Sequence, residues 1–259
     1  MWTEVRRFAA LTALTLVAAG TLAACDGSKP LLKREPDRPR FPAADRPVAS
    51  IVSARWSDED ARDQAGEAER VMDRAGIRPG MTVADIGAGE GYYTIRLAQR
   101  VGANGRVLAE DIVAPTIEVL AGRVARERLD NVSVRLGAPA DPKLPASSFD
   151  RILLVHMYHE IAQPYEFLWR TRRSLKRDGL VVVVDADRPT QNHGTPPELL
   201  DCEFRAVGYV PVAREPMPSA GGYLATYRVA GPAPAPEAIR PCRMAPAAPA
   251  PAPTSHRPG

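Results

Sequence analysis

Cysteine is scarce in this chain: three residues in 259, none in a C-x-x-C pair. That spacing excludes a thioredoxin-like redox motif and a zinc site of the paired-cysteine type. Lysine is scarcer than arginine, with Lys29, Lys33, Lys143 and Lys176 the only four. We read this as genomic composition rather than function. The net charge is only +3, with 31 acids interspersed among 34 basic residues. Nothing in that balance marks a nucleic-acid footprint. No internal repeat points to a repeat-built partner surface. The apolar run at residues 8–20 is thirteen residues long, short of the roughly 20 that cross a bilayer as a helix.

What is present begins with a leader. Arg6 and Arg7 precede that apolar run, and Leu22-Ala23-Ala24-Cys25 closes it, the pattern of a secretory signal. The last four residues resemble the bacterial lipobox. That resemblance implies cleavage before Cys25, lipidation of Cys25, and anchoring at the periplasmic face of a bacterial membrane. The 26 prolines cluster at residues 30–47 and again after Gly231, where proline and alanine dominate. Such segments lack the apolar bulk to offset ordering entropy, and both are expected to be extended or disordered. The organisation predicted is a signal peptide over 1–24, a tether over 25–52, a folded domain over 53–230 and a disordered tail over 231–259. In an oxidising compartment Cys202, in a predicted helix, and Cys242, in the tail, are able to pair.

Within the domain, the pattern predicts helices over residues 56–75, 92–101, 115–128, 165–175 and 197–207. Strands are predicted over 81–86, 106–111, 131–136, 151–155 and 180–184, the last almost purely β-branched and so buried on both faces. Residues 209–213 and 223–229 are read as a closing antiparallel pair. Strands alternating with helices indicate a doubly wound, mostly parallel α/β sheet.

Residues 83–91 read VADIGAGEG, a strand running into three alternate glycines. A dinucleotide fingerprint needs its third glycine one residue later, where Tyr92 stands, and a P-loop needs a lysine that is absent. The strand, Asp85, then Gly87, Gly89 and Gly91, with Asp111 closing the next strand, resembles class I S-adenosylmethionine-dependent methyltransferases. Leu144-Pro145, Ser148-Phe149-Asp150 and the Ser174-to-Gly179 turn extend the resemblance over about residues 60–230. It implies a seven-stranded Rossmann-like methyltransferase fold and S-adenosylmethionine as cofactor. It also implies a glycine turn passing under the cofactor and ribose recognition by Asp111, with Glu110 as rival. Asp85 is implied to organise the turn, with Tyr92 and Thr94 contributing. The family's acid after the third strand is missing. Gly137-Ala138-Pro139 stands there, leaving Asp141 or backbone groups to meet the adenine.

Acceptor chemistry is expected just past the fourth strand, where His156, His159 and Glu160 fall within five residues. A histidine there suits the general base and Glu160 an orienting group. The bland alternative makes His156 a cofactor-edge residue and Glu160 a cap. Asp185, Asp187 and His193 face the same edge as secondary candidates. No metal is expected, since H-x-x-H-E is not the zincin order; the one metal arrangement considered joins His193 to His156, His159 or Glu160. The function expected is a lipid-anchored methyltransferase acting on a small molecule and not on nucleic acid. The alternatives are a non-catalytic cofactor-fold lipoprotein that binds a metabolite or partner, and another oxidoreductase or nucleotide binder.

Overall fold

The computed structural model describes residues 40–51 and 58–243. The signal segment, Cys25 and residues 244–259 lie outside the described residues. Among those described, no helix is long and apolar enough to cross a membrane.

Seven strands form one sheet: β1 Thr82–Ile86, β2 Arg106–Asp111, β3 Val132–Leu136, β4 Phe149–Val155, β5 Leu175–Asp185, β6 Tyr209–Met217 and β7 Gly222–Val229. Their order is β3-β2-β1-β4-β5-β7-β6. The first five run parallel, while β7 is antiparallel to both β5 and β6. The chain winds outward from β1 to β3, then returns to β4 beside β1, so the switch point lies between β1 and β4. In such sheets the crevice beyond the carboxyl ends at the switch point takes the ligand.

The helices are α1 Glu59–Gln64, α2 Glu67–Arg74, α3 Tyr92–Val101, α4 Ala114–Arg126, α5 Pro164–Arg172 and α6 Pro197–Ala206. Two apolar layers sandwich the sheet. Val182 and Val184 of β5 pack with Val71 and Met72 of α2 and Leu97 of α3, while Val181 and Val183 pack with Leu168 of α5 and Leu200 and Phe204 of α6. All four valines are fully buried, as an all-apolar central strand requires.

Three features depart from the pattern expected of the sequence. The single helix read over 56–75 is two helices, broken where Gly66 takes φ +62°. Strand β5 begins at Leu175, so the expected helix end and turn belong to an irregular first stretch of β5 opposite Phe149. The domain also reaches past 53 and 230. Arg46 is buried against Glu203 at 2.8 Å, and Phe41 packs edge-on to Trp169. Residues 231–243, read as part of a disordered tail, instead lie on α5 and α6. Pro234 accepts a hydrogen bond from the Trp169 indole, Ile239 is buried, and Cys242 forms a disulfide with Cys202 of α6. A few apolar anchors on a proline-stiffened chain suffice, because fewer conformations are lost on docking.

Candidate functional site: a cavity at the switch point

A cavity of about 320 Å³ opens beyond β1, β2 and β4, within the range of small-molecule sites. Its floor is the glycine turn. Gly87, Gly89 and Gly91 all have positive φ, which only glycine adopts without strain. Their surroundings differ. A side chain at Gly89 meets no protein atom within 4 Å, so its Cβ direction is open space over the cavity. One at Gly87 lies 2.9 Å from Met157 Cγ, and one at Gly91 lies 2.5 Å from Leu120 Cδ1. Gly91 does not line the cavity. It starts α3 against Leu120 of α4.

Asp111 ties the turn to β2. One carboxylate oxygen accepts the Gly89 amide at 3.0 Å, and the other accepts Val113 N–H at 2.9 Å, at the start of α4. Asp111 also lines the cavity. A carboxylate has about four acceptor sites, so two remain. Asp85 lies behind the turn, accepting Thr94 Oγ1 at 2.6 Å. Burial pushes its carboxyl up to about 6, against the Thr94 bond.

Glu110 is the residue the sequence left as a rival, and its position is unlike either. It is 2% exposed, and Oε1 has no hydrogen-bond partner. Burial, then the Asp111 charge, pushes its carboxyl up to about 8, with the Gly87 amide pulling the other way. The carboxyl lies where a side chain on Gly137 would be, 1.5 Å from that hypothetical Cβ. Glu110 thus brings an acid to the end of β3, where the chain itself has Gly137-Ala138-Pro139. Asp141, the substitute considered from the sequence, does not line the cavity and pairs with Arg170 at 3.2 Å.

One wall sets the expected Tyr92 beside Arg62, which no motif marked. Tyr92 lines the cavity and donates to Asp63 at 3.0 Å. Its ring lies between the guanidinium groups of Arg62 at 3.7 Å and Arg96 at 3.9 Å. Arg62 also lines the cavity and is held by Glu67 at 2.6 Å. For Arg62 the only signal was a charged helix face with no motif attached.

The opposite wall carries the expected reactive cluster, which the structure divides. His156 takes φ +54° immediately after β4, and its amide donates to Val184 O at 2.8 Å. It lines the cavity beside Met157 and Glu160. Burial lowers its pKa, with the Glu67 carboxylate 3.9 Å from Nε2 opposing. His159 does not line the cavity. It is buried, with Nδ1 3.0 and 3.1 Å from the two oxygens of Asp185. Asp187 is exposed, and His193 is half-buried with its ring edge-on to His159 at 5.4 Å.

Comparison with known proteins agrees with this geometry. A family model described as a methyltransferase domain matches residues 77–208, just over half of the chain. Nocamycin O-methyltransferase of Saccharothrix syringae is 43% identical over 83 residues, 32% of this chain and 30% of that protein. A demethylmenaquinone methyltransferase of Staphylococcus aureus is 30% identical over 122 residues, 47% of this chain and 50% of that protein. The chain therefore spans half or less of the curated relatives it matches. Among solved structures, a SAM-dependent methyltransferase from Aquifex aeolicus superposes with TM-score 0.57 at 22% identity, over 66% of this chain and 96% of that one. The [4+2]-cyclase SpnF superposes with TM-score 0.56 at 16% identity, over 71% and 87%. With the strand order, the glycine turn and the cavity they form, the family match places this chain in the class I S-adenosylmethionine-dependent methyltransferase family.

Proposed function

We propose that the protein transfers a methyl group from S-adenosylmethionine to a small, largely apolar acceptor. The observation that carries this reading is the pairing of open space over Gly89 with three acids, Asp85, Glu110 and Asp111, that line the same cavity. Asp111 and Glu110 would receive the ribose hydroxyls and adenine edge, and Asp85 would face the amino-acid end. Three acids around one cavity also suit a donor that carries net positive charge.

When bound, S-adenosylmethionine supplies a methyl group already activated on a sulfonium. The chain's own part is to orient the acceptor, exclude water and remove a proton where the acceptor has one. His156 suits the removal of that proton. Its lowered pKa keeps it neutral and able to accept, and Glu67 stands 3.9 Å away to stabilise the cation formed. Ile51, Ile112, Val155, Ile161 and Phe167 give the cavity an apolar lining. The relatives named for nocamycin and demethylmenaquinone favour a small-molecule acceptor here.

We also propose that the enzyme works in the cell envelope, anchored through Cys25. Its leader supports this, as does the Cys202–Cys242 disulfide, a bond at home in oxidising compartments. The alternative, a cofactor-fold protein that binds without methylating, has the missing β3 acid in its favour. Calorimetry with S-adenosylmethionine and S-adenosylhomocysteine, then transfer of labelled methyl to a panel including demethylmenaquinol, separates the two. Absence of binding sinks the methyltransferase reading; binding without transfer to any acceptor favours the alternative. Palmitate labelling of wild type against Cys25→Ser tests the anchor, and equal labelling refutes it.

A further inference from the structure

We propose that His159, Glu160 and His193 form a divalent-cation site of the zinc type on the acceptor side of the cavity. One donor atom from each lies within 4.8 Å of the others. Two imidazoles and one carboxylate form the donor set of three-ligand zinc centres that keep a fourth position open.

The second observation is that His159 is already oriented as a ligand. Asp185 is fully buried, and its oxygens also accept Ala186 N–H at 2.8 Å and Thr195 Oγ1 at 2.7 Å. Surrounded by donors, Asp185 can face His159 Nδ1 only if that nitrogen carries its proton. The remaining lone pair is therefore on Nε2, directed away from Asp185. A carboxylate holding the far nitrogen of a histidine is the usual outer support of a metal-bound imidazole.

The loop that brings His193 is built with similar care. His193 takes φ +59° at the end of a short 3-10 turn, and its carbonyl accepts Arg188 Nε at 3.0 Å. Thr195 N–H bonds to Ala186 O at 2.8 Å, and Tyr223 Oη donates to Thr195 O at 2.7 Å. Zinc-bound donors stand roughly 3.3 Å apart, given bonds of about 2.0–2.1 Å. Closure from 4.8 Å falls to the Glu160 side chain and His193, since His159 is locked. Because Glu160 also lines the cavity, the open position would point there and take an acceptor oxygen or sulfur, easing loss of its proton.

The site stands independently of the methyl-donor reading. The test titrates zinc chloride into chelator-treated full-length protein by calorimetry, with metal counted by mass spectrometry and S-adenosylhomocysteine affinity measured in parallel. One equivalent of zinc is expected, with affinity reduced at least tenfold in His193→Ala and Glu160→Gln, and about 10–100-fold in Asp185→Asn. His193 is partly exposed and does not line the cavity, so unchanged S-adenosylhomocysteine affinity in His193→Ala, and an unchanged melting temperature in Glu160→Gln, show that the variants fold. No stoichiometric uptake, or uptake unaltered in both variants, overturns the proposal. Zinc uptake without S-adenosylhomocysteine binding would overturn the donor reading alone.

Discussion

Replacing Glu110 by glutamine removes the cavity carboxyl pushed furthest up, to about 8 against about 6 for Asp85. The carboxyl is pushed from 4.5 up to about 8 in the folded chain, so at pH 6.5 only about 3% is ionised and at pH 8 about half. A cationic sulfonium bound in the cavity that Glu110 lines favours the ionised form. S-adenosylmethionine affinity should then rise by up to about 15-fold between pH 6.5 and 8, with release of close to one proton at the lower pH. Calorimetry in two buffers of different ionisation enthalpy reads both quantities. Glu110→Gln should bind with a much flatter profile and little proton release. The same residue acts on stability in the opposite sense. A folded-state value above the unfolded one contributes stability that is complete below about 4.5 and is lost as pH rises through about 8, at about 1.4 kcal/mol per unit. Glu110→Gln should therefore melt several degrees above wild type at pH 9, and the gap should close at pH 5. A wild-type affinity that is flat or falls with pH, or a variant with the same slope, refutes the assignment.

The glycines of the turn should separate by function. Gly89→Val puts a side chain into open cavity space and should weaken S-adenosylhomocysteine binding more than 100-fold in calorimetry. Gly91→Ala collides with Leu120 and should lower stability by about 2–3 kcal/mol in denaturant melts, through overpacking and a positive-φ penalty. Reducing the disulfide, or Cys242→Ser, frees a connection spanning 40 residues and should remove about 2–4 kcal/mol. That loss corresponds to roughly 4–16 °C in melting temperature for a domain of this size, and an unchanged melt under reductant would show that the C-terminal segment docks without it.

Much of the fold was legible because it rests on local chemistry. The alternation of helix and strand periods predicted the parallel sheet, and α3 and β2 begin and end where expected. The turn was legible because its glycines are needed one by one for positive φ. Less legible was which acid meets the cavity. Glu110 and Asp111 are adjacent in sequence, and only packing decides that Asp111 is drawn to Gly89 and Val113 while Glu110 is buried over Gly137. His156, His159 and Glu160 likewise read as one cluster. The turn after β4 sends His156 and Glu160 to the cavity and His159 to Asp185.

The termini were misjudged for a related reason. Composition reports what a segment can bury by itself, and residues 41–50 and 231–243 bury little without a partner. Arg46 finds Glu203 157 positions away, and Cys242 finds Cys202 on a helix that α5 and β6 hold in place. By itself, then, the sequence determined the sheet, the glycine turn and the family they mark, since these follow from periodicity and backbone freedom over a few residues. The tertiary structure alone decided the charge state of the cavity, the division of the histidines and the reach of the domain, because each depends on what distant residues place alongside.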